Sequence, residues 1–366
     1  MKISDLDSNL TVSDGSVPDS AVWMDAKSGP FRLYGVFYDR DNKRYTRMPE
    51  HTAEKISDDI RVLVRCTAGG RIRFKTNSPF IGIKAVMKNY PPTSHMTRVG
   101  QCGFDLYGKD ETGKEVFKHA YLPPADVTEG YSSLYQIASK YYDGMSVYTG
   151  KMIEYTLNFP NYDGVEELYI ALDKDSALEA ASDYADIKPI VYYGSSITQG
   201  ACASRPGNCY EHLITRMLNI DHINMGFSGN AKGEPEMADY LAGLDMGAFV
   251  CDYDHNAQNA QQLTNTLPYL YGKIRSAHPY IPFIFVSAPD IRLFPEVWTE
   301  RRQAVYEAYL SAVKNNDKNV CFVDGKSLYE GEFSDSCTVD GCHPNDIGFY
   351  RMALKIGAQI KIALNL

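Results

Sequence analysis

Residues 189–200 read Pro-Ile-Val-Tyr-Tyr-Gly-Ser-Ser-Ile-Thr-Gln-Gly. The short run of β-branched and aromatic residues predicts a buried strand, which ends at a glycine followed by two serines. A hydroxyl on the turn after a strand stands clear of the sheet, and small neighbours let a substrate carbonyl approach the backbone closely. The same letters also fit a simple Gly-Ser turn with a helix cap. The rest of the chain has to distinguish a nucleophile from a turn.

Composition limits the classes of protein that fit this sequence. The chain has 366 residues, of which 44% are hydrophobic and 23% charged, with a formal net charge of −9. This length exceeds one typical core and predicts two domains. The charge argues against a nucleic-acid partner, because affinity for a phosphate backbone depends on clustered Lys and Arg. The net charge does not argue against a neutral small-molecule ligand.

Neither a membrane span nor a secretory leader is visible in the sequence. No apolar run reaches the roughly 20 residues that a span requires, and residues 1–8 mix charged with isolated apolar positions. We therefore expect no membrane partner and a cytoplasmic protein, unless a leader was trimmed before Met1. The cysteine spacings do not match common zinc motifs, so reduced thiols and no structural metal are expected. These cysteines are Cys66, Cys102, Cys202, Cys209, Cys251, Cys321, Cys337 and Cys342.

The first half of the chain contains many short stretches with period-two alternation. Turn signals rich in Gly, Asn and Pro separate these stretches, and no long helical pattern interrupts them. The pattern predicts an antiparallel β-sandwich over residues 1–184. The expected strands are residues 31–38, 60–65, 71–75, 81–87, 103–107, 116–121, 153–159 and 167–172.

Tyrosines are concentrated near the end of this half. Aromatic faces with hydroxyl rims suit sugar rings, so this domain is a candidate to contact carbohydrate. The alternative is that the tyrosines fill strand edges and the space between the sheets. The residues in question are Tyr131, Tyr135, Tyr141, Tyr142, Tyr148 and Tyr155.

The second half alternates strands with helices. After a polar, partly helical connector at residues 175–188, this alternation predicts parallel strands with helices on both faces over residues 185–366. Ligands bind beyond the carboxyl ends of strands in such sheets. The expected strands are 190–193, 223–227, 249–254, 282–287 and 320–324, and the expected helices are 210–218, 235–241, 267–277, 299–314 and 345–364.

Residues suited to acyl transfer follow several of these strands. Ser196 needs a histidine to take its proton and a carboxylate to orient that histidine. Asp340 and His343 share one turn before the last helix, and Gly341 between them gives the backbone freedom to fold. The block 224–230 supplies glycine N–H groups for an oxyanion, and Asn256 supplies an amide.

A metal site is the competing interpretation of the third block. Asp252, Asp254 and His255 are all capable ligands. Strand alternation would place the two aspartates on one face and His255 on the other, which is poor geometry for one ion. We therefore expect no metal at this position.

The four blocks, in this order and at these strand ends, resemble those of the SGNH (GDSL-type) serine hydrolases. The resemblance covers roughly residues 187–366. It implies that Ser196 is the nucleophile, that His343 and Asp340 complete the triad, and that Gly229, Asn256 and the Ser196 N–H bind the oxyanion. It also implies a flavodoxin-like doubly wound sheet, preceded here by the sandwich, which would be jelly-roll-like. No cofactor is implied.

Two positions depart from the family pattern, and a longer pattern narrows the resemblance. Ser195 stands where the first block carries aspartate, and Asp-His-Asn-Ala at 254–257 replaces the usual Gly-x-Asn-Asp. Together with residues 203–207, Ala-Ser-Arg-Pro-Gly, the chain is similar to a bacterial subgroup with an amino-terminal β-sandwich. The members of this subgroup with assigned roles are carbohydrate O-acetyl esterases acting on plant-polysaccharide oligosaccharides.

The resemblance implies a serine esterase that removes acetyl groups from mannan, xylan or xyloglucan fragments. Arg205 and Trp298 lie in or near sheet-edge loops and are candidates for sugar contacts, although Trp298 beside Arg301 and Arg302 also fits a packing role. A lipase or thioesterase of the same fold, or a carbohydrate-binding protein with an inactive hydrolase domain, remain alternatives. A homo-oligomer is left open.

Overall fold

The computed structural model describes residues 17–88, 91–125, 129–137, 148–289 and 295–366. In the first half, two antiparallel sheets face each other across a shared apolar core, which confirms the predicted sandwich. The strands are β1 Ala21–Asp25, β2 Arg32–Tyr34, β3 Phe37–Asp39, β4 Arg44–Thr46, β5 Arg71–Thr76, β6 Phe80–Met87, β7 Phe104–Lys109, β8 Glu115–Tyr121, β9 Gly130–Gln136, β10 Ile153–Asn158, β11 Val165–Asp173 and β12 Leu178–Glu179. One sheet has the strand order β1–β11–β6–β9 and the other β12–β5–β10–β7–β8, with β2 beside β5.

The predicted strand at 60–65 is wrong, because this segment is helical. Short helices interrupt the sandwich, and in the second of them Ser57 accepts a hydrogen bond from the Ile60 N–H as the N-cap. Ile60 and Val64 are both fully buried, and their spacing of four residues puts them on one helix face. The helices are α1 Glu50–Ala53, α2 Asp58–Leu63 and α3 Arg98–Cys102.

Other element boundaries also differ from the prediction. The strand expected at 31–38 is split by Gly35, whose φ is +72° and whose missing Cβ would lie 2.2 Å from the Gly69 carbonyl oxygen. The connector at 175–188 contains β12 and no helix. Strands β1, β4 and β9 were not predicted, since they lack a clear run of alternating apolar residues.

The second half forms a parallel sheet, which confirms the predicted α/β fold. The elements are β13 Ile190–Gly194, α4 Ser196–Gln199, α5 Tyr210–Leu218, β14 His222–Gly226, α6 Pro235–Ala242, β15 Ala248–Asp252, α7 Ala260–Ala277, β16 Phe283–Val286, α8 Pro295–Lys314, β17 Val320–Val323 and α9 Asp346–Ala363. The strand order is β14–β13–β15–β16–β17. The three central strands are buried on both faces, in keeping with their nearly continuous apolar sequences.

This strand order fixes where a ligand can bind. The chain goes outward from β13 to β14 and then returns to the other side of β13 for β15. The crevice at such a reversal lies beyond the carboxyl ends of the strands, where loops diverge to both sides of the sheet. Residues that follow β13, β14 and β15 therefore meet at one edge, and Ser196 follows β13 directly.

Residues of the first half also build part of the second core. Met48, Ile60 and Val64 pack in the same buried cluster as Met225 and Phe227. Burying this apolar surface stabilises the association of the two halves as well as each half by itself. A domain boundary near residue 184 stays a prediction.

The cysteines and the helices bear on two further expectations. Each of the eight cysteines is a free thiol. In the ranges that the structure describes, no helix combines the length and the apolar character that crossing a membrane requires.

Candidate active site

Three side chains predicted from separate blocks form a continuous hydrogen-bonded chain. Ser196 Oγ lies 2.9 Å from His343 Nε2, and His343 Nδ1 lies 2.7 Å from Asp340 Oδ2. Because a carboxylate only accepts, Nδ1 carries the proton and Nε2 is left free to accept the serine proton. This arrangement has the connectivity of a serine–histidine–carboxylate triad.

The turn after β13 holds Ser196 at the start of α4. Ser195 is fully buried, and its Oγ accepts a hydrogen bond from the Ile197 N–H at 3.1 Å as the N-cap of α4. Gly194 is required at the strand end, because an added Cβ would lie 1.7 Å from Asp252 Oδ1. The serine at position 195 thus caps the helix with a neutral hydroxyl.

The turn before α9 fixes the carboxylate beneath the histidine. Asp340 Oδ1 accepts hydrogen bonds from the backbone N–H groups of Cys342 and His343, at 3.0 and 2.7 Å. Partial burial would raise the pKa of Asp340, but the hydrogen bonds from the His343 side chain and these N–H groups outweigh it and lower that pKa to about 2. The carboxylate is therefore ionised at every pH at which the protein would be assayed.

The candidate oxyanion donors lie around this serine. Neither the Ser196 N–H nor the Gly229 N–H is taken up by an acceptor in the part of the chain that the structure describes. Gly229 has φ +70°, and nothing lies within 4 Å of the place its Cβ would take. Asn256 Nδ2 donates one hydrogen bond to the Phe227 carbonyl at 2.8 Å, which leaves its second proton free.

Gln199 joins the first two blocks and was missed by the sequence analysis. This fully buried side chain accepts from the Ser228 N–H at 2.9 Å through Oε1 and donates to the Asn161 carbonyl through Nε2. It thus holds the backbone of Ser228, the residue before Gly229. The only available signal was its place in the first block, one turn after Ser196.

The aspartates of the third block have structural partners. Asp252 accepts from the Thr198 hydroxyl at 2.5 Å and from the Tyr210 hydroxyl at 2.9 Å, and burial raises its pKa to about 6. Asp254 accepts from the Ala288 N–H at 2.8 Å, and burial raises its pKa to about 7. These contacts connect the end of β15 to α4 and α5, and the turn after β15 to the segment that follows β16.

The first half of the chain also reaches the candidate triad, which the sequence analysis did not anticipate. The ring of His95 lies 5.2 Å from that of His343, centroid to centroid, and the hydroxyl of Tyr162 donates to the Ser196 carbonyl at 3.2 Å. Both residues lie in loops of the sandwich half. A single histidine or tyrosine in a loop carries no signal for such contacts.

The two candidates for sugar contacts, Arg205 and Trp298, have partners within the protein. Arg205 points to the sandwich, where its Nη2 donates to the Tyr107 hydroxyl at 3.2 Å and its guanidinium lies 4.1 Å from the centre of the Phe117 ring. Trp298 packs 4.6 Å from the His255 ring, and the Arg301 guanidinium lies over it. The packing alternative describes the contacts of Trp298.

The tyrosines considered for carbohydrate contact lie in different environments. Tyr131, Tyr135 and Tyr155 are buried in the sandwich core, where they fill space between the sheets. Tyr148 is exposed. Tyr141 and Tyr142 lie outside the described residues.

Comparisons with known proteins identify both halves. Residues 187–361 match the GDSL-like lipase/acylhydrolase family, and residues 21–178 match the domain known as GxDLY, the N-terminus of SGNH-hydrolase-type esterases. The letters of that name occur at residues 103–107, Gly-Phe-Asp-Leu-Tyr. Among curated proteins, none matches significantly.

Solved structures share the whole architecture. A protein described as a GDSL-like lipase from Bacteroides ovatus ATCC 8483 is 29% identical with a TM-score of 0.82, over 94% of this chain and 98% of its own. The salicylyl-acyltransferase SsfX3 of a tetracycline biosynthetic pathway is 17% identical, with a TM-score of 0.74 over 96% and 99% of the two chains. A family two carbohydrate esterase from Clostridium thermocellum is 14% identical, with a TM-score of 0.60 over 92% and 99%.

The carboxy-terminal match, the amino-terminal match and the shared fold agree with one another. The chain belongs to the SGNH (GDSL-type) hydrolases that carry a GxDLY amino-terminal domain.

Proposed function

We propose that this esterase removes O-acetyl groups from carbohydrates, with Ser196 as nucleophile, His343 as general base and acid, and Asp340 as the group that orients His343. The observation that carries the proposal is the hydrogen-bonded chain from Ser196 Oγ through both nitrogens of His343 to Asp340. A serine becomes nucleophilic when a positioned base takes its proton in the transition state.

The geometry supports a two-step reaction. His343 Nε2 takes the hydroxyl proton while Ser196 Oγ bonds to the acetyl carbonyl carbon. The N–H groups of Ser196 and Gly229, with the Asn256 amide, stabilise the negative oxygen. The carbon–oxygen bond to the sugar then breaks, and His343 returns the proton to the sugar oxygen. Water, deprotonated by His343, then attacks the acetyl carbon. The bond from this carbon to Ser196 Oγ breaks, His343 returns the proton to Ser196 Oγ, and acetate leaves.

The carbohydrate part of the proposal comes from similar folds. Proteins described as family two carbohydrate esterases and an acetyl xylan esterase cover 82–95% of this chain. They share its two-part architecture at 11–15% identity, which supports a fold and not a substrate. Acetylated oligosaccharides of mannan, xylan or xyloglucan are the substrates we propose to test.

Acetate release from these oligosaccharides tests the proposal, with NMR to show which position loses its acetyl group. We expect the wild type to release acetate and Ser196→Ala to lose about 10⁴-fold or more in kcat with an intact fold. Ser195→Ala is the matched control, since it removes a helix cap worth about 1 kcal/mol and no reacting atom.

Two results would contradict the proposal. Full turnover by Ser196→Ala together with loss of activity in Ser195→Ala would show that the nucleophile is misassigned. A wild type that cleaves long-chain acyl esters or thioesters and leaves every acetylated sugar intact would favour the lipase or thioesterase alternative.

A further inference from the structure

Three potential metal ligands meet beside the triad. His95 from the sandwich half, Cys202 from the loop after α4, and His343 offer ligand atoms that all lie within 4.8 Å of one another. Two imidazoles and a thiol are a donor set that suits Zn²⁺ and related transition metals. These residues come from three separate segments, so the site exists only when both halves are folded together.

The surroundings of His343 already resemble those of a metal-ligating histidine. Its Nδ1–H is held by the Asp340 carboxylate at 2.7 Å. Histidines that ligate metals almost always donate their second nitrogen to such a partner, which fixes the ring and raises its basicity. The nitrogen left to meet a metal is Nε2, the same atom that lies 2.9 Å from Ser196 Oγ.

The cluster is open on one side and buried on the other. Cys202 is buried, whereas His95 and His343 are half-buried. An ion can therefore enter from solvent and keep a water as a further ligand. A cysteine ligates a metal as its thiolate, so an ion that binds here must displace the proton of the Cys202 thiol. Such a site releases its metal more readily than a permanent structural site does.

We propose that His95, Cys202 and His343 form a reversible zinc site that switches the enzyme off. An ion on His343 Nε2 occupies the lone pair that takes the Ser196 proton, so metal binding and general-base function exclude each other. The inhibition rests on the proposed function of the triad, whereas the binding of zinc does not. The sandwich half thereby gains a regulatory role through His95.

The test uses two titrations of the metal-free full-length enzyme. Calorimetry monitors the binding of ZnCl₂, and absorption spectroscopy monitors the binding of CoCl₂. We expect one bound Zn²⁺ per chain and a thiolate-to-cobalt absorption band. His95→Ala should weaken Zn²⁺ binding at least about tenfold. Cys202→Ser should abolish the thiolate band while Co²⁺ still binds. His51→Ala, which removes an exposed histidine on α1, should bind like the wild type.

Activity provides the second measurement. Each variant is compared with its own metal-free rate on an acetyl ester, and we expect Zn²⁺ to inhibit the wild type and His51→Ala, with recovery on adding a chelator. His95→Ala and Cys202→Ser should be inhibited only at higher Zn²⁺.

Either of two results would overturn the zinc site. One is an equal Zn²⁺ affinity of the wild type and His95→Ala, and the other is a cobalt complex without thiolate absorption. If the wild type has no esterase activity, the function proposal fails, but the calorimetric and absorption titrations still decide whether the zinc site exists.

Discussion

Ser195 shows how a single position can depart from a family pattern without losing its structural task. It is fully buried and caps α4 through its hydroxyl. Next to it, Gly194 contacts the buried carboxylate of Asp252. An aspartate at position 195 would bring a second carboxylate into this region, where like charges repel at low dielectric. A serine supplies the cap without the charge.

Asp340 is expected to act through the orientation of His343. In Asp340→Asn, the amide nitrogen can face His343 Nδ1, which favours the tautomer with its proton on Nε2 and so removes the base. We expect kcat to fall by about 10³–10⁴-fold with an unchanged thermal midpoint. Asp335→Asn, an exposed aspartate in the same loop, is the control. Equal losses in both variants would contradict an orienting role.

Asp254 makes the stability of the fold depend on pH. Burial raises its pKa to about 7 in the folded state, above the ordinary value of about 4 in the unfolded chain. Its contribution to stability is therefore fully present below about pH 4 and is lost as the pH rises through 7. We expect the unfolding free energy of the wild type, relative to Asp254→Asn, to fall between pH 5 and pH 8 in urea titrations. If this difference in unfolding free energy rose with pH, it would contradict a raised pKa of Asp254 in the folded state.

At the scale of elements, the strand end of β13 has no room for a side chain. Gly194→Ala would place its Cβ 1.7 Å from Asp252 Oδ1 and 2.0 Å from Thr198 Oγ1. We expect it to lower the unfolding free energy by about 2–3 kcal/mol and to reduce activity, because the displaced turn carries Ser196. Denaturant titration and acetate release measure the two effects.

Gly272 provides the matched control for this substitution. It lies inside α7, and nothing is within 4 Å of the place its Cβ would take. Gly272→Ala should raise the unfolding free energy by about 0.5–1 kcal/mol, because alanine favours a helix interior. Similar destabilisation by both substitutions would show that the β13 end tolerates a side chain.

At the scale of the whole molecule, the two halves are locked together by buried polar contacts. Asp105, in the Gly-Phe-Asp-Leu-Tyr stretch, is fully buried and accepts from the Gly207 N–H at 2.9 Å and the Asn158 amide at 2.8 Å. Arg205 lies 3.4 Å from the same carboxylate. The stretch that gives the amino-terminal domain its name therefore holds the loop that follows α4.

At the end of β14, Arg47 also connects the two halves. Its buried guanidinium donates to the Gly226 carbonyl at 2.6 Å and to the Leu63 carbonyl at 2.7 Å. It also lies 4.7 Å from the centre of the Phe227 ring. The sandwich half thus supports the strand end that leads to Gly229.

Asp105→Ala tests the coupling of the halves. It leaves the Gly207 N–H and Arg205 without their buried partner, and we expect a loss of about 3–5 kcal/mol in unfolding free energy. Activity should fall as well, because the loop at 200–209 follows the proposed nucleophile. Glu111→Ala, whose side chain is 93% exposed, should change neither. If Asp105→Ala is destabilised but fully active, the contacts of Asp105 do not position the active site.

The sequence by itself determined the parts of this protein that depend on local patterns. Nearly continuous apolar runs ending in Gly and Ser, alternating with amphipathic stretches, identify parallel strands and helices. The strand ends also carry Ser196, Asn256, Asp340 and His343 in an order typical of one family. The period of two in residues 71–75 identifies a sandwich. These features are readable because each depends on residues close together in the chain.

Only the tertiary structure decided what depends on packing between distant segments. Ser196 and His343 are 147 residues apart and meet because both follow elements at one edge of the sheet. His95, Tyr162 and Arg47 reach that edge from the sandwich half, and Arg205 turns away from it. Residues 58–63 form a helix because a cap and two buried side chains outweigh their β-branched composition. Such outcomes depend on which surfaces are buried together, and local sequence does not encode that.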